Sequence, residues 1–526
     1  MSNQRGALSM ESVGRSALIL TGGQAAVQVI GIVRELFLAA RVGVSVELDA
    51  LLVALVLPTT LSAALTSGTT TALVPAYLEA RATNQAEARR LAGAILGWVG
   101  LAGLGLWIGL QLLAPVAVEV AGPGLTSAGR ASAIAYLPLL APIVFLAAIS
   151  AVLAAVCQAE QRFAAISVAS LAGSAATLIT MLALWGALGL EAFAVGSLVG
   201  PAVSVAILSA TMVRGSIVPL PIPRWDARLK PLLKHAAPLT VSSAILQINT
   251  IGDRAIASLL GPGAVSALRY ADVLVRTPIG AIGPAWGSAI YPVLVHSALG
   301  DVADSLAAAA QRMLHYAIVL FVPLAMLTAA IAPVAVAFAY GRGAFTPDDV
   351  ILTARTVGGF SPLLVVLMAS PVLVGALNAR RSGRILLIGG VINVILNIGL
   401  DIVLGLGLGV AGIALSSSIT QTIVLIFFAQ RLARSESGFR PGALIETLGL
   451  AILAGAPASV AIGALAWTGH LPNQTLPAFV TLVVVSLVGL ASYLIAATRL
   501  GIEEPRSLVE ATIGRLTRRG RLGQQP

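Results

Sequence analysis

The sequence predicts an all-α polytopic membrane protein of about 14 transmembrane helices, and three observations predict it. Hydrophobic residues make up 58% of the chain and charged residues only 10%, with a mean hydropathy of +0.96; soluble domains carry about 25% charged residues. The apolar runs are long, and a helix needs about 20 such residues to cross a bilayer core. They recur from Ser16 to Thr498 with short gaps, so one membrane domain accounts for nearly everything and no soluble segment is long enough for a catalytic domain.

Lipid offers no hydrogen-bond partners, so each run closes its backbone bonds within a helix. The runs fall near 14–40, 48–76, 91–118, 131–158, 163–188, 191–213, 231–259, 267–295, 312–339, 352–377, 384–404, 409–432, 444–468 and 476–498. The first is longer than the core of a signal peptide and carries Arg34, so it reads as a retained helix. The single Cys157, in the fourth, has no disulfide partner and no ligand-spaced neighbour, and reads as a packed small side chain.

Basic residues orient the runs, because cytoplasmic loops are enriched in Lys and Arg. With the N-terminus inside, 24 of the 32 fall in inside segments, four outside (Arg41, Arg130, Arg342, Arg355) and four within spans (Arg34, Arg254, Arg269, Arg276). A miscounted helix would scramble that asymmetry, so an even number of spans with both ends cytoplasmic is expected. The net charge of +10 then belongs to the cytoplasmic face, where it meets anionic lipid and implies no nucleic-acid partner.

An internal repeat divides the chain. The spacing from Arg34 to Pro58 equals that from Arg254 to Pro278, with the same shift in numbering, 220, between the two arginines and between the two prolines. The expected organisation is an N-lobe of six helices (1–214), a cytoplasmic linker (215–230), a C-lobe of six helices (231–433), two accessory helices (434–500) and a basic tail (501–526). Six is even, so both lobes start inside and the repeat is parallel, related by a pseudo-two-fold along the membrane normal. Within the linker, Val218-Pro-Leu-Pro-Ile-Pro-Arg-Trp-Asp226 reads as interfacial, with Trp225 anchored at headgroup depth.

Intramembrane charges are few and clustered: Arg34, Asp49 at the start of the second run, Asp253 and Arg254, and Arg269, Asp272 and Arg276. A charge at a helix centre costs about 2.5–3.5 kcal/mol on insertion scales, so such residues face a cavity or a partner. The first two helices of each lobe supply nearly all of them, as a cavity between lobes requires. Arginine suits phosphate because its planar fork donates two parallel hydrogen bonds and stays ionised. The ligand expected at Arg34, Asp49, Arg254, Arg269, Asp272 and Arg276 is therefore an anion carried on a lipid. In the plainer alternative, Arg34 and Arg269 snorkel to the headgroups and Arg254 pairs with Asp272.

A second constellation lies on the eleventh run, where Asn397 and Asp401 are four apart and share a face. With Asp253 and Ser417 they offer hard oxygen ligands without His or Cys, suited to a small hard cation or a proton. The alternative is that Asn397 joins helices and Asp401 caps at the interface.

At these residues the sequence resembles the MurJ/MviN lipid II flippases of the multidrug/oligosaccharidyl-lipid/polysaccharide (MOP) exporter superfamily. The matching stretches are Gly31-Ile-Val-Arg-Glu35, Asp49-Ala50 leading to Leu57-Pro58, Val74-Pro75-Ala76-Tyr77, Tyr270-Ala271-Asp272, the Pro278 to Pro292 segment, and Tyr340-Gly341 before Phe345-Thr346. They occur in the family's order through the first twelve runs. The resemblance implies alternating access, with cavity arginines holding the diphosphate of an undecaprenyl-linked sugar and helices one, two, seven and eight lining its path. Arg34 matches one such arginine; Asp49 and Asp272 match cavity carboxylates. Gln28, Ser62 and Val273 stand where the family typically has arginine, and Arg269 and Arg276 share the helix face of Val273. The resemblance further implies a sodium ion held by Asp253, Asn397, Asp401 and Ser417. It also implies residence in the bacterial inner membrane, a role in peptidoglycan biosynthesis and cell shape, and contact with membrane lipids and the cell-wall synthesis machinery.

Three other functions stay open from sequence: a flippase for another lipid-linked polysaccharide unit, a MATE-like drug or cation antiporter, and a non-transporting scaffold that binds the lipid precursor. An antiporter of cationic drugs needs carboxylates rather than several arginines. An enzyme is not expected, because no cluster of nucleophile, base and orienting group is present.

Overall fold

The computed structural model describes residues 10–214, 222, 223, 225, 247–299, 305–380, 382–468 and 475–500. Among them every regular element is a helix. In chain order these are α1 (Met10–Val42), α2 (Val46–Thr83), α3 (Gln85–Leu112), α4 (Ala114–Ala121), α5 (Ser127–Leu140), α6 (Pro142–Ala159), α7 (Phe163–Leu188), α8 (Glu191–Arg214) and α9 (247–259). They continue with α10 (Ala264–Leu299), α11 (Leu306–Tyr340), α12 (Pro347–Phe360), α13 (Leu363–Ala379), α14 (Gly383–Leu408), α15 (Val410–Ser435), α16 (Pro441–Trp467) and α17 (Thr475–Arg499). Eleven helical stretches are long and apolar enough to cross a bilayer. The other three expected runs overlap α1, α9 and α10, with 231–246 of the seventh run outside the described residues, so these spans do not by themselves make up the count of fourteen.

Proline explains where the structure departs from the expected runs. Run 131–158 is two helices, α5 and α6, broken where Pro142 lacks an N–H; run 352–377 is likewise α12 and α13, broken at Ser361-Pro362. Pro362 cannot bond the Gly358 carbonyl, and the Ser361 hydroxyl and N–H donate to it instead, at 2.8 and 3.3 Å. Run 91–118 covers both α3 and α4, which part at Leu113.

The chain forms two compact units, Met1–Ser266 and Ala267–Pro526. In the first, α2 is central: 67% of its most apolar window is buried, against α3, α5 and α6. Its core gathers Leu73 and Tyr77 of α2, Leu91 and Ile95 of α3, Val152, Val156 and Cys157 of α6, and Leu208 and Met212 of α8. The helical residues of α9 belong to this unit because they bond to it: Gly124 N–H donates to Ser258 Oγ at 2.9 Å and Arg254 Nη1 donates to the Leu52 carbonyl at 3.3 Å. The packing therefore divides the chain later than the 215–230 linker. Of that linker, Ile222 and Pro223 lie against α3, where a Cβ at Gly97 would stand 2.6 Å from Pro223 N, and Trp225 meets Trp98 edge-on at 6.3 Å. The rest of the linker and the 501–526 tail lie outside the described residues.

In the second unit α11 is central, packing on α12, α13, α16 and α17. The accessory α16 is fixed to it by Gln311, whose amide accepts from Arg440 N–H and donates to the Arg440 carbonyl, both at 3.1 Å. Only 11% of the apolar window of α17 is buried, so most of its apolar face is exposed.

The offset that relates Arg34 to Arg254 runs through the backbone. Adding 220 to the bounds of α5 gives those of α12, and adding it to those of α7 gives those of α14. The positive-φ glycines follow it as well: Gly43 (65°) with Gly263 (83°), and Gly189 (55°) with Gly409 (65°). Each sits at a reversal where a side chain would be strained. Thr126 and Thr346, related by the same offset, cap α5 and α12. The repeat thus extends well beyond the residues that first suggest it.

Candidate functional site

In the first unit, Arg34 leaves α1 toward α8. Its guanidinium lies over the Phe193 ring at 5.5 Å and its Nη2 is 3.4 Å from Glu35 Oε1, a long contact. Arg254, on α9, turns instead to the α2 backbone at Leu52. The two arginines are therefore held by different elements.

Asp49, expected as a cavity carboxylate, is 2% exposed. Its Oδ2 accepts from Gly263 N–H and its Oδ1 from Ser266 N–H, both at 2.7 Å. It caps the N-terminus of α10, where unpaired N–H groups and the helix dipole favour a carboxylate. Both oxygens are thereby occupied by the fold. Ser62, one of the positions without the family's arginine, is buried with its hydroxyl donating to the Pro58 carbonyl at 2.6 Å.

In the second unit, Arg276 Nε donates to Asp272 Oδ1 one turn earlier on α10, in an ion pair whose side chains are 43% and 31% exposed. Tyr270, beside them, is fully buried and packs with Tyr340 and Phe345 at ring distances of 5.0 and 5.5 Å. The tyrosine and phenylalanine motifs shared with the family thus form an aromatic knot within the unit. The Val74-Pro-Ala-Tyr77 stretch is structural as well: Tyr77 donates to Glu160 Oε1 at 2.8 Å, and Arg81 pairs with Glu160 Oε2 at 3.1 Å.

On α14 the polar residues of the eleventh run share one face. Asn397 is 2% exposed and Asp401 fully buried, and Asn397 Nδ2 donates to Asp401 Oδ2 at 2.7 Å. The neighbouring helix contributes Ser416, whose Oγ donates to the Asn397 carbonyl at 3.2 Å, while the expected ligand Ser417 is buried on the same turn. Asp253 is half-buried on α9 in the first unit. No group of three or more His, Cys, Asp or Glu side chains gathers among the described residues. The donors in the second unit are one carboxylate, one amide oxygen and hydroxyls, a set for a hard cation rather than a transition metal.

Sequence reasoning missed Ser416, which bonds the Asn397 carbonyl. The signal was spacing: Gly389, Asn393, Asn397, Asp401 and Gly405 recur at every fourth position on α14, and Gly412, Ser416, Thr420, Val424 and Phe428 do so on α15. Such rows form the ridges by which helices interlock.

The family model for lipid II flippase MurJ matches residues 38–487. A probable lipid II flippase MurJ of Rhizobium meliloti (strain 1021) is 26% identical over 425 residues, 78% of this chain and 78% of its own. One from Thermotoga maritima is 23% identical over 78% of this chain and 83% of its own. Among solved structures, lipid II flippase MurJ in an inward closed conformation superposes with a TM-score of 0.76 at 19% identity, over 94% of this chain and all of that one. An inward-facing MATE multidrug transporter of the MOP superfamily superposes with a TM-score of 0.63 at 16% identity, over 81% of this chain and 95% of its own. At these identities the solved structures speak to the fold alone. The family model spans both repeats, and the chain belongs to the lipid II flippase MurJ family.

Proposed function

We propose that this chain is a lipid II flippase, moving an undecaprenyl-diphosphate-linked peptidoglycan precursor from the cytoplasmic to the outer leaflet of the bacterial inner membrane by alternating access. The observation that carries the proposal is the family match over residues 38–487. Arg254, Arg269 and Arg276 lie inside that stretch and Arg34 just before it; their guanidinium groups supply the paired donors a diphosphate needs. Both chain ends face the cytoplasm in this reading, as the Lys and Arg distribution requires. Outward movement of two negative charges against an inside-negative potential is favourable by about 2.3 kcal/mol per charge per 100 mV. Asp401, Asn397 and Ser417 would hold a sodium ion, which supplies positive charge beside a buried carboxylate. Such binding biases a conformational equilibrium only as far as its affinity differs between states.

The test is complementation of cells depleted of their own lipid II flippase. Rescue by the wild-type chain that is lost with Arg34→Ala, at equal membrane abundance, is the expected outcome. A well-expressed wild-type chain that does not rescue would overturn lipid II as the cargo.

A further inference from the structure

The register of α14 against α15 points to a feature beyond the Asn397/Asp401 pair. The helices are antiparallel, joined at Gly409, and their every-fourth-position rows interlock at two described levels. Ser416 Oγ bonds the Asn397 carbonyl, and a Cβ on Gly389 would lie 2.3 Å from Phe428 Cε1. Between those levels α14 presents Asn393, and α15 presents Thr420 and Val424. The first-unit repeat gives an independent check on this interpolation. There Gly200 and Gly173 stand at the positions equivalent to Thr420 and Asn393, and a Cβ on Gly200 would lie 2.0 Å from Oγ1 of Thr177, the counterpart of Asn397, and 2.7 Å from the Gly173 carbonyl, so the counterpart of Thr420 sits between those two levels.

Thr420 itself is unusual. It is fully buried, and among the described residues its hydroxyl has no hydrogen-bond partner. Nearby Ser418 and Thr422 return theirs to the carbonyls of Ala414 and Ser418, one turn back, at 3.2 and 2.7 Å. A helix-interior threonine ordinarily does the same, and a buried unpaired hydroxyl is disfavoured unless something else engages it. Thr420 shares its helix face with Ser416, the face that meets Asn397.

We propose that Asn393 and Thr420 form a second, neutral oxygen-donor station for a hard cation, one helical turn from the Asn397/Asp401 pair toward the Arg380–Arg384 end of α14. Phe428, seated against Gly389, closes the far side of this station. The proposal rests on the cation reading of Asp401 and extends it from a site to a path. A carboxylate binds the ion, while a neutral amide and hydroxyl hold it weakly enough to let it leave, which is the division of labour that conduction through successive sites requires. In the first-unit repeat the equivalent positions, Gly173 and Gly200, carry no side chain, and the Ser204 and Thr177 hydroxyls stand beside them instead.

The experiment follows radioactive sodium bound to the purified full-length protein, measuring the amount held at equilibrium and the rate of exchange after dilution. Asp401→Asn should abolish binding. Thr420→Val, nearly isosteric and checked by its thermal unfolding, should keep binding but slow exchange roughly tenfold, while Thr420→Ser restores it. Phe428→Ala should speed exchange. If Asp401→Asn removes the ion but Thr420→Val exchanges at the wild-type rate, the second station is wrong and the Asp401 site stands. If Thr420→Val abolishes binding, Thr420 belongs to the first site and no separate station exists. Absence of specific sodium binding to the wild type overturns both.

Discussion

The helix pairs α7–α8 and α14–α15 occupy the same place in the repeat and are built from opposite materials. In α7–α8 the backbones nearly touch: a Cβ on Gly196 would lie 2.6 Å from the Thr177 carbonyl, and one on Gly200 would lie 2.0 Å from Thr177 Oγ1. In the second repeat Gly196, Gly200 and Thr177 are replaced by Ser416, Thr420 and Asn397, and Met181 is matched by Asp401. Close backbone approach in α14–α15 is seen instead next to the Gly409 reversal, where a Cβ on Gly412 would lie 2.0 Å from the Leu404 carbonyl. A helix pair can therefore keep its reversals and register while its interface changes from a glycine seam to a polar row. The backbone course is set by prolines, glycines and caps, and the contacts along the seam are free to diverge. The opposite ends show the same freedom, since Glu160 pairs with Arg81 of α2 whereas the equivalent Arg380 pairs with Glu436 after α15, the sign at that one position being reversed.

The largest expected effect comes from moving the polar row into the other half. Met181→Asp would bury a carboxylate at a fully enclosed site and should destabilise by more than about 3 kcal/mol. Adding Thr177→Asn should recover part of the loss by reproducing the Asn397 to Asp401 bond. Thermal unfolding of the detergent-solubilised variants reads this directly, and a Met181→Asp protein as stable as wild type would mean the halves do not differ in polarity as described.

A second test places one residue at equivalent seam positions. Gly200→Val should cost about 1–3 kcal/mol by overpacking, whereas Thr420→Val should stay within about 0.5 kcal/mol because it is nearly isosteric and removes an unpaired hydroxyl. Equal losses at both positions would show that α14–α15 is as tightly apposed as its counterpart. The smallest difference lies in the two charge clamps. Glu160→Ala, at a side chain only 7% exposed, should cost about 1–3 kcal/mol by stranding Tyr77 and Arg81. Arg380→Ala, at a side chain 46% exposed, should cost about 0–1 kcal/mol. Equal stability of the two variants would erase this asymmetry.

Several features of the candidate site were legible in the residues. Asn397 and Asp401, four apart, share a face and are bonded as their spacing requires. Asp49 was legible as an intramembrane carboxylate but not as a cap, because its partners, Gly263 and Ser266, belong to a distant part of the chain, beyond seven intervening helices. The plainer sequence reading paired Asp272 with Arg254; Asp272 pairs instead with Arg276, one turn along α10, and Arg254 bonds the Leu52 carbonyl, because side-chain rotamers and packing decide the partner. The breaks in α5–α6 and α12–α13 were hidden because hydropathy does not fall at a proline, so each pair of helices reads as one apolar run.

By itself the sequence determined the solvent, the helical class and the repeat, since hydropathy, run length and residue spacing are local properties of the chain. It also determined the family. Tertiary structure alone decided which intramembrane charges are consumed by the fold and which helix faces meet, because burial and hydrogen bonding depend on partners that chain order does not bring together. Asp49 bound to backbone N–H groups and Thr420 buried with its hydroxyl unpaired among the described residues are both outcomes of that kind.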